Sequence, residues 1–170
     1  KYFMKACVLC NDSITREDVS MGDPTEIALV NLAELYDIDE EEMREQIVRE
    51  QEIAFDSDRK LMSTLHRIDN KYILFTKGAT DVLLERITHI ESEEGRREIS
   101  HEEIAQINEA NERFSKNGLR VLGFAYKEID ENRALTLDDE CDYTFLGLVA
   151  MIDPPRVESK EAVEDCIRAG

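Results

Sequence analysis

The chain has 170 residues, of which 42% are hydrophobic and 35% charged. It is therefore long enough to bury the core of one domain, and disorder along its whole length is excluded. Its formal net charge of −18 argues against a nucleic acid or an anionic membrane surface as a partner, because neither would meet a cationic face. A small anion such as a nucleotide remains compatible with this charge where basic residues cluster locally.

No apolar run reaches the length of a membrane span, and no signal peptide is visible. The spacing of the four cysteines resembles no disulfide framework, which favours a reducing compartment. We therefore expect a soluble chain that contacts neither nucleic acid nor membrane.

The first third of the chain predicts three helices, at 2–10, 24–36 and 39–48, with a polar loop at 14–22. The helix at 24–36 has the stronger start signal: Asp23 suits the N-cap, Pro24 the first helical position, and Glu26 lies three residues after the cap. Asp39 is expected to cap the third helix, which is very acidic.

The rest of the chain predicts a sheet with further helices. Strands are predicted at 51–56, 61–68, 72–76, 120–127 and 144–152, helices at 79–86, 101–115 and 159–169, a charged turn at 91–97 and an acidic loop at 129–142. Asp69-Asn70 is a hairpin signal, and Asn117-Gly118 ends a helix in the manner of a glycine C-cap. Consecutive strands joined by hairpins, with helices before and after, indicate an α+β fold with an antiparallel sheet flanked by helices.

Basic residues that suit an anion site fall at Arg59-Lys60, Lys77 and Arg120. Lys77 precedes Gly78-Ala79, where the missing side chain of glycine would let a flat ligand lie against the backbone. Phe55 can stack on a purine ring, which is worth about 1–3 kcal/mol. Each feature also has an ordinary structural interpretation: Phe55 could be a core residue, and Lys77-Gly78-Ala79 could be a strand-to-helix turn. Neither of the two commonest glycine-rich phosphate loops occurs.

Other polar groups favour structural interpretations. Cys7 and Cys10 lie three residues apart on one helix face, but no second pair of ligands has matching spacing, so buried thiols are expected and no metal site. The acidic runs at 37–45 and 137–142 lack the spacing of a calcium loop and indicate solvated faces. His66, inside a strand, is expected to be structural.

Five segments occur in an order and spacing that resemble one known family. They are Gly22–Glu26 (GDPTE), Phe55–Ser63 (FDSDRKLMS), Lys77–Ala79 (KGA), Gly118–Leu122 (GLRVL) and Asp153–Arg156 (DPPR). Together they resemble the nucleotide-binding domain of P-type cation-transporting ATPases, in particular the calcium-pump-like branch, over nearly the whole chain. The resemblance implies an antiparallel sheet flanked by helices, in agreement with the strand pattern.

The resemblance also implies an ATP site and a role for each of its residues. Phe55 would stack on adenine, Glu26 would accept a hydrogen bond from the exocyclic amine, and Arg120 would reach toward the phosphates. Lys60 would border the base and ribose, Lys77 and Gly78 would line the back of the pocket, and Leu122 would pack near the base. The implied set is Thr25, Glu26, Phe55, Lys60, Met62, Lys77, Gly78, Ala79, Arg120 and Leu122. Ser57 stands where the family often has a basic residue that touches the phosphates, and serine does not supply that contact.

The loops that accept the phosphoryl group and hold Mg²⁺ in whole pumps do not occur in these 170 residues. The resemblance therefore implies no catalytic residue here: residues 1–144 would bind ATP, and residues 145–170 would begin the phosphorylation domain. The hinge between the two domains would contain Asp153, Pro154, Pro155 and Arg156. Mg²⁺ would be used only in the parent protein, with ATP.

The implied partners are the adenine nucleotide and the phosphorylation and transmembrane domains of the same parent chain, at the cytoplasmic face of a membrane. The motifs favour calcium as the transported ion by association. Two other functions stay open: an acidic protein-interaction module without a ligand, and an unrelated hydrolase or phosphotransferase. The latter would need a nucleophile–base pair or a metal cage, and the sequence shows neither.

Overall fold

The computed structural model describes residues 2–16, 19–130 and 133–152. Within these ranges the helices are α1 (Phe3–Leu9), α2 (Pro24–Glu34), α3 (Glu40–Gln46), α4 (Thr80–Leu84) and α5 (His101–Lys116). The strands are β1 (Ile14–Arg16), β2 (Val19–Met21), β3 (Arg49–Asp56), β4 (Leu61–Ile68), β5 (Lys71–Gly78), β6 (Ile87–Ser92), β7 (Gly95–Glu98), β8 (Leu119–Ile129) and β9 (Tyr143–Ile152). A short 3₁₀ turn covers Leu137–Asp139.

Seven strands form one sheet in the order β3-β4-β5-β8-β9-β6-β7, and β1 pairs with β2 in a separate short hairpin. All neighbours in the large sheet are antiparallel except β6 and β9, which are parallel. The predicted α+β class, an antiparallel sheet flanked by helices, is confirmed. The parallel pair was not predicted, because a local sequence pattern does not say which distant strand will lie alongside.

The β4–β5 hairpin fixes the register of the middle of the sheet. Asp69 and Asn70 form its two-residue turn with φ values of 50° and 64°, which is the backbone that a two-residue hairpin of matching twist requires. The pairing then runs without a shift from Ile68 opposite Lys71 to Leu61 opposite Gly78. The predicted hairpin is confirmed.

Apolar residues cover both faces of the sheet. Successive residues of a strand point to opposite faces, so Phe75 and Phe124 belong to one cluster while their neighbours Leu74 and Ala125 belong to the other. The first cluster packs under α1 and α2, and the second packs under α4 and α5. Residues Ala6 through Cys10 are all buried, which confirms the predicted buried helix at the N-terminus.

Helix ends follow the cap residues that the sequence predicted. The Asp23 carboxylate accepts from the backbone N–H of Thr25 at 2.8 Å, and the Asp39 carboxylate accepts from that of Glu42 at 2.9 Å. Pro24 is the first residue of α2, as predicted. These caps satisfy N–H groups that have no partner within the helix, and Gly118, with a φ of 76°, follows the end of α5 as expected.

Two segments predicted as loops contain strands, so those predictions are wrong. The polar loop predicted at 14–22 contains β1 and β2, whose strands of three residues each are too short to show a period. The charged turn predicted at 91–97 lies mostly within β6 and β7. Strand β7 is the outer strand of the sheet, where charged, exposed side chains are tolerated and discourage pairing with another chain.

The predicted hinge at Asp153–Arg156 and the predicted helix at 159–169 lie outside the described residues. The domain boundary between residues 144 and 145 stays a prediction, and β9 pairs with β8 on both sides of it. None of the helices within the described ranges is long and apolar enough to cross a membrane.

Candidate functional site

A cavity of about 370 Å³ opens where the ends of four strands meet the first turn of α2. The β4–β5 pairing sets Met62 opposite Lys77, and the β5–β8 pairing sets Gly78 opposite Gly123. The end of β5 therefore lies between the start of β4 and the start of β8. The lining residues are Asp12, Asp23, Thr25, Glu26, Phe55, Met62, Lys77, Gly78, Arg120 and Leu122.

Most of the residues that the sequence proposed for a site meet in this cavity. Eight of the ten line it: Thr25, Glu26, Phe55, Met62, Lys77, Gly78, Arg120 and Leu122. Lys60 and Ala79 do not. Lys60 is exposed in the turn between β3 and β4, and Ala79 is the residue before α4. The nucleotide-binding roles of all ten stay predictions.

Glu26 and Lys77 form an ion pair at the back of the cavity, between Oε1 and Nζ. Their side chains are only 15% and 8% exposed, and charges so far removed from water need partners. The second carboxylate oxygen of Glu26 accepts from the backbone N–H of Asp12 at 3.1 Å. Glu26 therefore pairs across the fold rather than with the N-cap of its own helix.

Phe55 lies near the end of β3, an outer strand of the sheet, and is 62% exposed. The interpretation of Phe55 as a core residue is therefore wrong. Its ring is therefore accessible from the cavity.

Arg120 and Thr25 connect β8 to α2 beside the cavity, because Arg120 Nη1 donates to Thr25 Oγ1 at 2.8 Å. Asp23 lies next to this contact. Partial burial would by itself raise the pKa of Asp23, but hydrogen bonds from Thr25 and the charges of Arg120 and Lys77 lower the pKa below its ordinary value. Asp23 is therefore a fixed negative charge in the cavity wall at neutral pH.

Gly78 is required by the packing of β5 against the preceding turn. A Cβ atom on Gly78 would lie 2.1 Å from the carbonyl oxygen of Lys60, far inside van der Waals contact. The backbone N–H of Ala79 donates to that same oxygen at 3.1 Å. The absence of a side chain at Gly78 thus has a structural cause, whatever ligand the cavity holds.

Arg59, one of the basic residues considered for an anion site, turns away from the cavity. Its Nε lies 2.7 Å from Oε2 of Glu140, whose side chain is fully buried. Its Nη2 donates to the carbonyl oxygens of Ala54 and Leu61. Its charge is therefore paired with a buried carboxylate, and the interpretation of the acidic run at 137–142 as a solvated face is wrong at Glu140.

A second cavity, of about 250 Å³, borders the first at Asp12 and is lined also by Arg44, Arg49 and His66. The two guanidinium groups donate to backbone carbonyls at and just after the end of α1. Burial, and then the charge of Arg49, lower the pKa of His66 to about 4. Neutral His66, with Nε2 beside Thr64 Oγ1 and Nδ1 beside a backbone carbonyl, is structural, as expected.

Cys7 and Cys10 are buried and unpaired. Burial raises the pKa of both thiols, that of Cys7 to about 12, so both are neutral at physiological pH and behave as apolar core groups.

Residues 1–158 match the family model described as "P-type ATPase, cytoplasmic domain N". The chain belongs to this family. It is 43% identical over 165 residues to a calcium-transporting ATPase of Listeria monocytogenes and 40% identical over 171 residues to calcium-transporting ATPase 1 of Bacillus cereus, which cover 96% and 100% of this chain. It is also 37% identical over 180 residues to a sodium/potassium exporting P-type ATPase of Schizosaccharomyces pombe, covering 98% of the chain.

This N domain spans about 19% of the length of the first two of those relatives, and 17% of the third. The family membership that the five segments indicated is confirmed, and the α+β fold is consistent with the N-domain fold.

Two lining residues of the N domain were not predicted from the sequence. Asp23 was predicted as a helix cap and lies in the Gly22–Glu26 segment, but neither Asp23 nor Asp12 was among the residues implied for the site. Nothing in the local pattern marks either as a cavity residue, because their position depends on how α1 and α2 pack side by side.

Proposed function

We propose that this N domain binds an adenine nucleotide in the larger cavity and, in its parent pump, presents the γ-phosphate to an aspartate of the phosphorylation domain. One observation carries the proposal. The exposed ring of Phe55, the hydrogen-bonded carboxylate of Glu26 and the cationic side chains of Lys77 and Arg120 line a single cavity. These four residues come from four separate elements. A volume of about 370 Å³ also falls in the range of small-molecule sites.

The base is the part of the ligand that these residues fit well. The exposed ring of Phe55 supplies a stacking surface, and apolar atoms of Met62 and Leu122 line the same cavity. Ionised Glu26 accepts hydrogen bonds but donates none, and it has room for about four of them. Two are taken by Lys77 and the N–H of Asp12, which leaves acceptor capacity for the exocyclic amine of adenine and disfavours the carbonyl oxygen of guanine.

The phosphates meet a weaker set of contacts. Lys77 and Arg120 are the cations of the cavity lining, against the carboxylates of Asp12, Asp23 and Glu26. Such a wall does not attract a polyanion strongly, so binding rests mainly on the base. Bound ATP supplies the phosphoryl group, while these side chains hold and orient the nucleotide. Mg²⁺ is proposed to be held in the parent by residues outside this chain.

We extend the proposal to the parent protein as a cation-transporting P-type ATPase. Its other partners would be the phosphorylation and transmembrane domains of the same chain, with this domain at the cytoplasmic face of a membrane. The names of two relatives say calcium, and that of a third says sodium and potassium. We propose calcium, in line with the motifs, and the ligands that select the ion would lie outside this chain.

Titration of the isotope-labelled chain with ATP, followed by NMR, tests the proposal. The expected result is saturable shifts centred on the amides around Phe55, Glu26 and Lys77. No phosphoenzyme is expected with γ-labelled ATP, since the acceptor loop does not occur in the sequence. A folded chain that shows no shifts would favour the acidic interaction module, and acid-stable label on the protein would contradict the assignment of chemistry to another domain.

A further inference from the structure

Asn11 uses all of its side-chain hydrogen-bonding capacity to join three segments. It lies between α1 and β1 and is 1% exposed. Its Nδ2 donates to the carbonyl oxygen of Cys7 at 3.1 Å and to that of Glu26 at 2.9 Å. Its Oδ1 accepts from the backbone N–H and the hydroxyl of Ser13 at 2.9 and 2.7 Å. Two donors and two acceptor positions are thereby filled, which ties the last turn of α1 to the first turn of α2.

The turn that Asn11 organises also holds the side chain of Glu26. The backbone N–H of Asp12, the next residue, donates to Oε2 of Glu26 at 3.1 Å, while Lys77 binds Oε1. Asn11 thus holds the backbone of Glu26 directly and its carboxylate through the neighbouring amide. The two contacts together fix both ends of the Glu26 side chain.

The carbonyl groups of the turn are fixed as well. Arg49 Nη2 donates to the carbonyl oxygen of Asn11 at 2.8 Å, and Arg44 Nη1 donates to that of Ser13 at 2.6 Å. The Asp12 amide is thus bound to α2 while the two carbonyls are bound to α3 and β3, so the turn has little freedom to move. A rigid support of this kind is what a precisely placed recognition group needs.

We infer that Asn11 is a positioning residue that sets the preference of the site for adenine over guanine by fixing the Glu26 carboxylate. The inference rests on the proposed function. Asn11 itself is buried behind the cavity and is not among its lining residues. When Asn11 is truncated, only the arginine contacts to the carbonyls still hold the turn. The Asp12 amide is then less firmly aligned with Oε2, so Glu26 gains rotational freedom and its contact with the exocyclic amine weakens.

A selectivity ratio separates this role from a purely structural one. If truncation only lowered the fraction of folded protein, the apparent affinities for ATP and GTP would fall by the same factor. Misplacement of Glu26 lowers the affinity for ATP but not for GTP, because guanine presents at that position a carbonyl oxygen that Glu26 disfavours. The ratio of the two dissociation constants therefore changes only if Asn11 acts through Glu26.

The experiment compares the wild-type chain with Asn11→Ala and with a matched control, Asn117→Ala. Asn117 also donates its side-chain amide to a helix carbonyl, that of Arg113 at 2.9 Å, but at the end of α5. For Asn11→Ala we expect ATP affinity to fall about three- to tenfold, the equivalent of about one net hydrogen bond, and GTP affinity to change by less than about twofold. Asn117→Ala should leave both affinities and their ratio unchanged.

A milder variant and a spectroscopic signal guard against failure of Asn11→Ala to fold. Ser13→Ala removes only the hydroxyl that binds Asn11 Oδ1 and should lower the ATP preference in the same direction by less. In both variants the Asp12 amide proton should move upfield as its bond to Glu26 weakens. A folded Asn11→Ala with an unchanged ratio overturns the inference, and if that variant does not fold, an unchanged ratio and Asp12 signal in Ser13→Ala overturn it.

The same measurements keep the two proposals apart. Failure of the wild-type chain to bind ATP contradicts the proposed function. In that case the Asp12 amide signal, which needs no ligand, still decides whether Asn11 holds Glu26. Binding of ATP by the wild type with an unchanged ratio in a folded Asn11→Ala contradicts the positioning role alone.

Discussion

Single side chains give the cavity an apolar side and a polar back wall. Phe55 and Leu122 lie on the apolar side, and the Glu26–Lys77 ion pair forms the polar back wall. The two halves differ in their sensitivity to change: removing an exposed ring leaves the fold intact, whereas removing one member of a mostly buried ion pair leaves the other charge without its partner.

Replacing Phe55 with alanine tests the apolar side. Because Phe55 is 62% exposed, the variant should fold normally while losing the stacking surface. We expect nucleotide affinity to fall by about 1–3 kcal/mol, measured by calorimetry. Tyr36→Ala is the matched control, since Tyr36 is an exposed aromatic, 66% accessible, outside the cavity lining. Equal effects of the two substitutions would place the base elsewhere.

Replacing Glu26 with glutamine tests the polar wall. Glutamine can donate as well as accept a hydrogen bond, so the variant should bind ATP less tightly and discriminate less against GTP. Glu34→Gln, at the exposed end of the same helix, controls for the change in net charge. Circular dichroism must show that the variant is folded, because Lys77 loses its ionic partner. An unchanged ATP-to-GTP preference would remove Glu26 from base recognition.

Among the elements, β4 carries a buried titratable group at its centre. Nδ1 of His66 faces the carbonyl oxygen of Val48 at 3.2 Å, and a carbonyl can only accept. Neutral His66 therefore carries its proton on Nδ1, and its Nε2 accepts from Thr64 at 2.9 Å. Protonation would turn Nε2 from an acceptor into a donor, so the Thr64 hydroxyl would have to reorient inside the sheet.

The stability of the fold should consequently depend on pH through His66. Burial and Arg49 lower its pKa from 6.5 to about 4, so between these values the unfolded chain binds more protons than the folded one. The contribution of His66 to the free energy of unfolding is therefore fully present above pH 6.5. It decreases by about 3 kcal/mol as the pH drops from 6.5 toward 4. Urea unfolding at pH 7 and pH 5 should show a smaller loss in His66→Gln than in wild type. His101→Gln, at the exposed start of α5, should behave as wild type.

How well the sequence predicted an element depended on whether its signal was local. The β4–β5 hairpin and the helix starts at Asp23 and Asp39 were predictable, because the turn residues and caps act on their immediate neighbours. The β6–β7 hairpin was not, since its charged residues are permitted only by its place at the outer end of the sheet. The same division applies to the site, where five ordered segments indicated most of the lining but not Asp12, which depends on the packing of α1 against α2.

At the scale of the whole molecule, charge limits how strongly a nucleotide can bind. The chain carries −18, and the cavity lining alone has three carboxylates against two cations. We expect dissociation constants of about 0.05 to 1 mM, with AMP, ADP and ATP within about tenfold of one another and no requirement for Mg²⁺. Parallel calorimetric titrations of the three nucleotides measure this. A nanomolar ATP site, or AMP hundreds of times weaker than ATP, would reveal a phosphate cradle that the cavity lining does not show.

The place of β9 in the sheet has a consequence for synthesis of the chain. β9 is the last strand in sequence among the described residues, yet it lies between β8 and β6 and pairs with both. While a ribosome is still making residues 143–152, β3-β4-β5-β8 and β6-β7 have no strand to join them, and the edge of β8 that later pairs with β9 is open. A nascent chain at that stage exposes a strand edge of the kind that chaperones shield from aggregation. Once β9 is complete, it joins the two parts into one sheet.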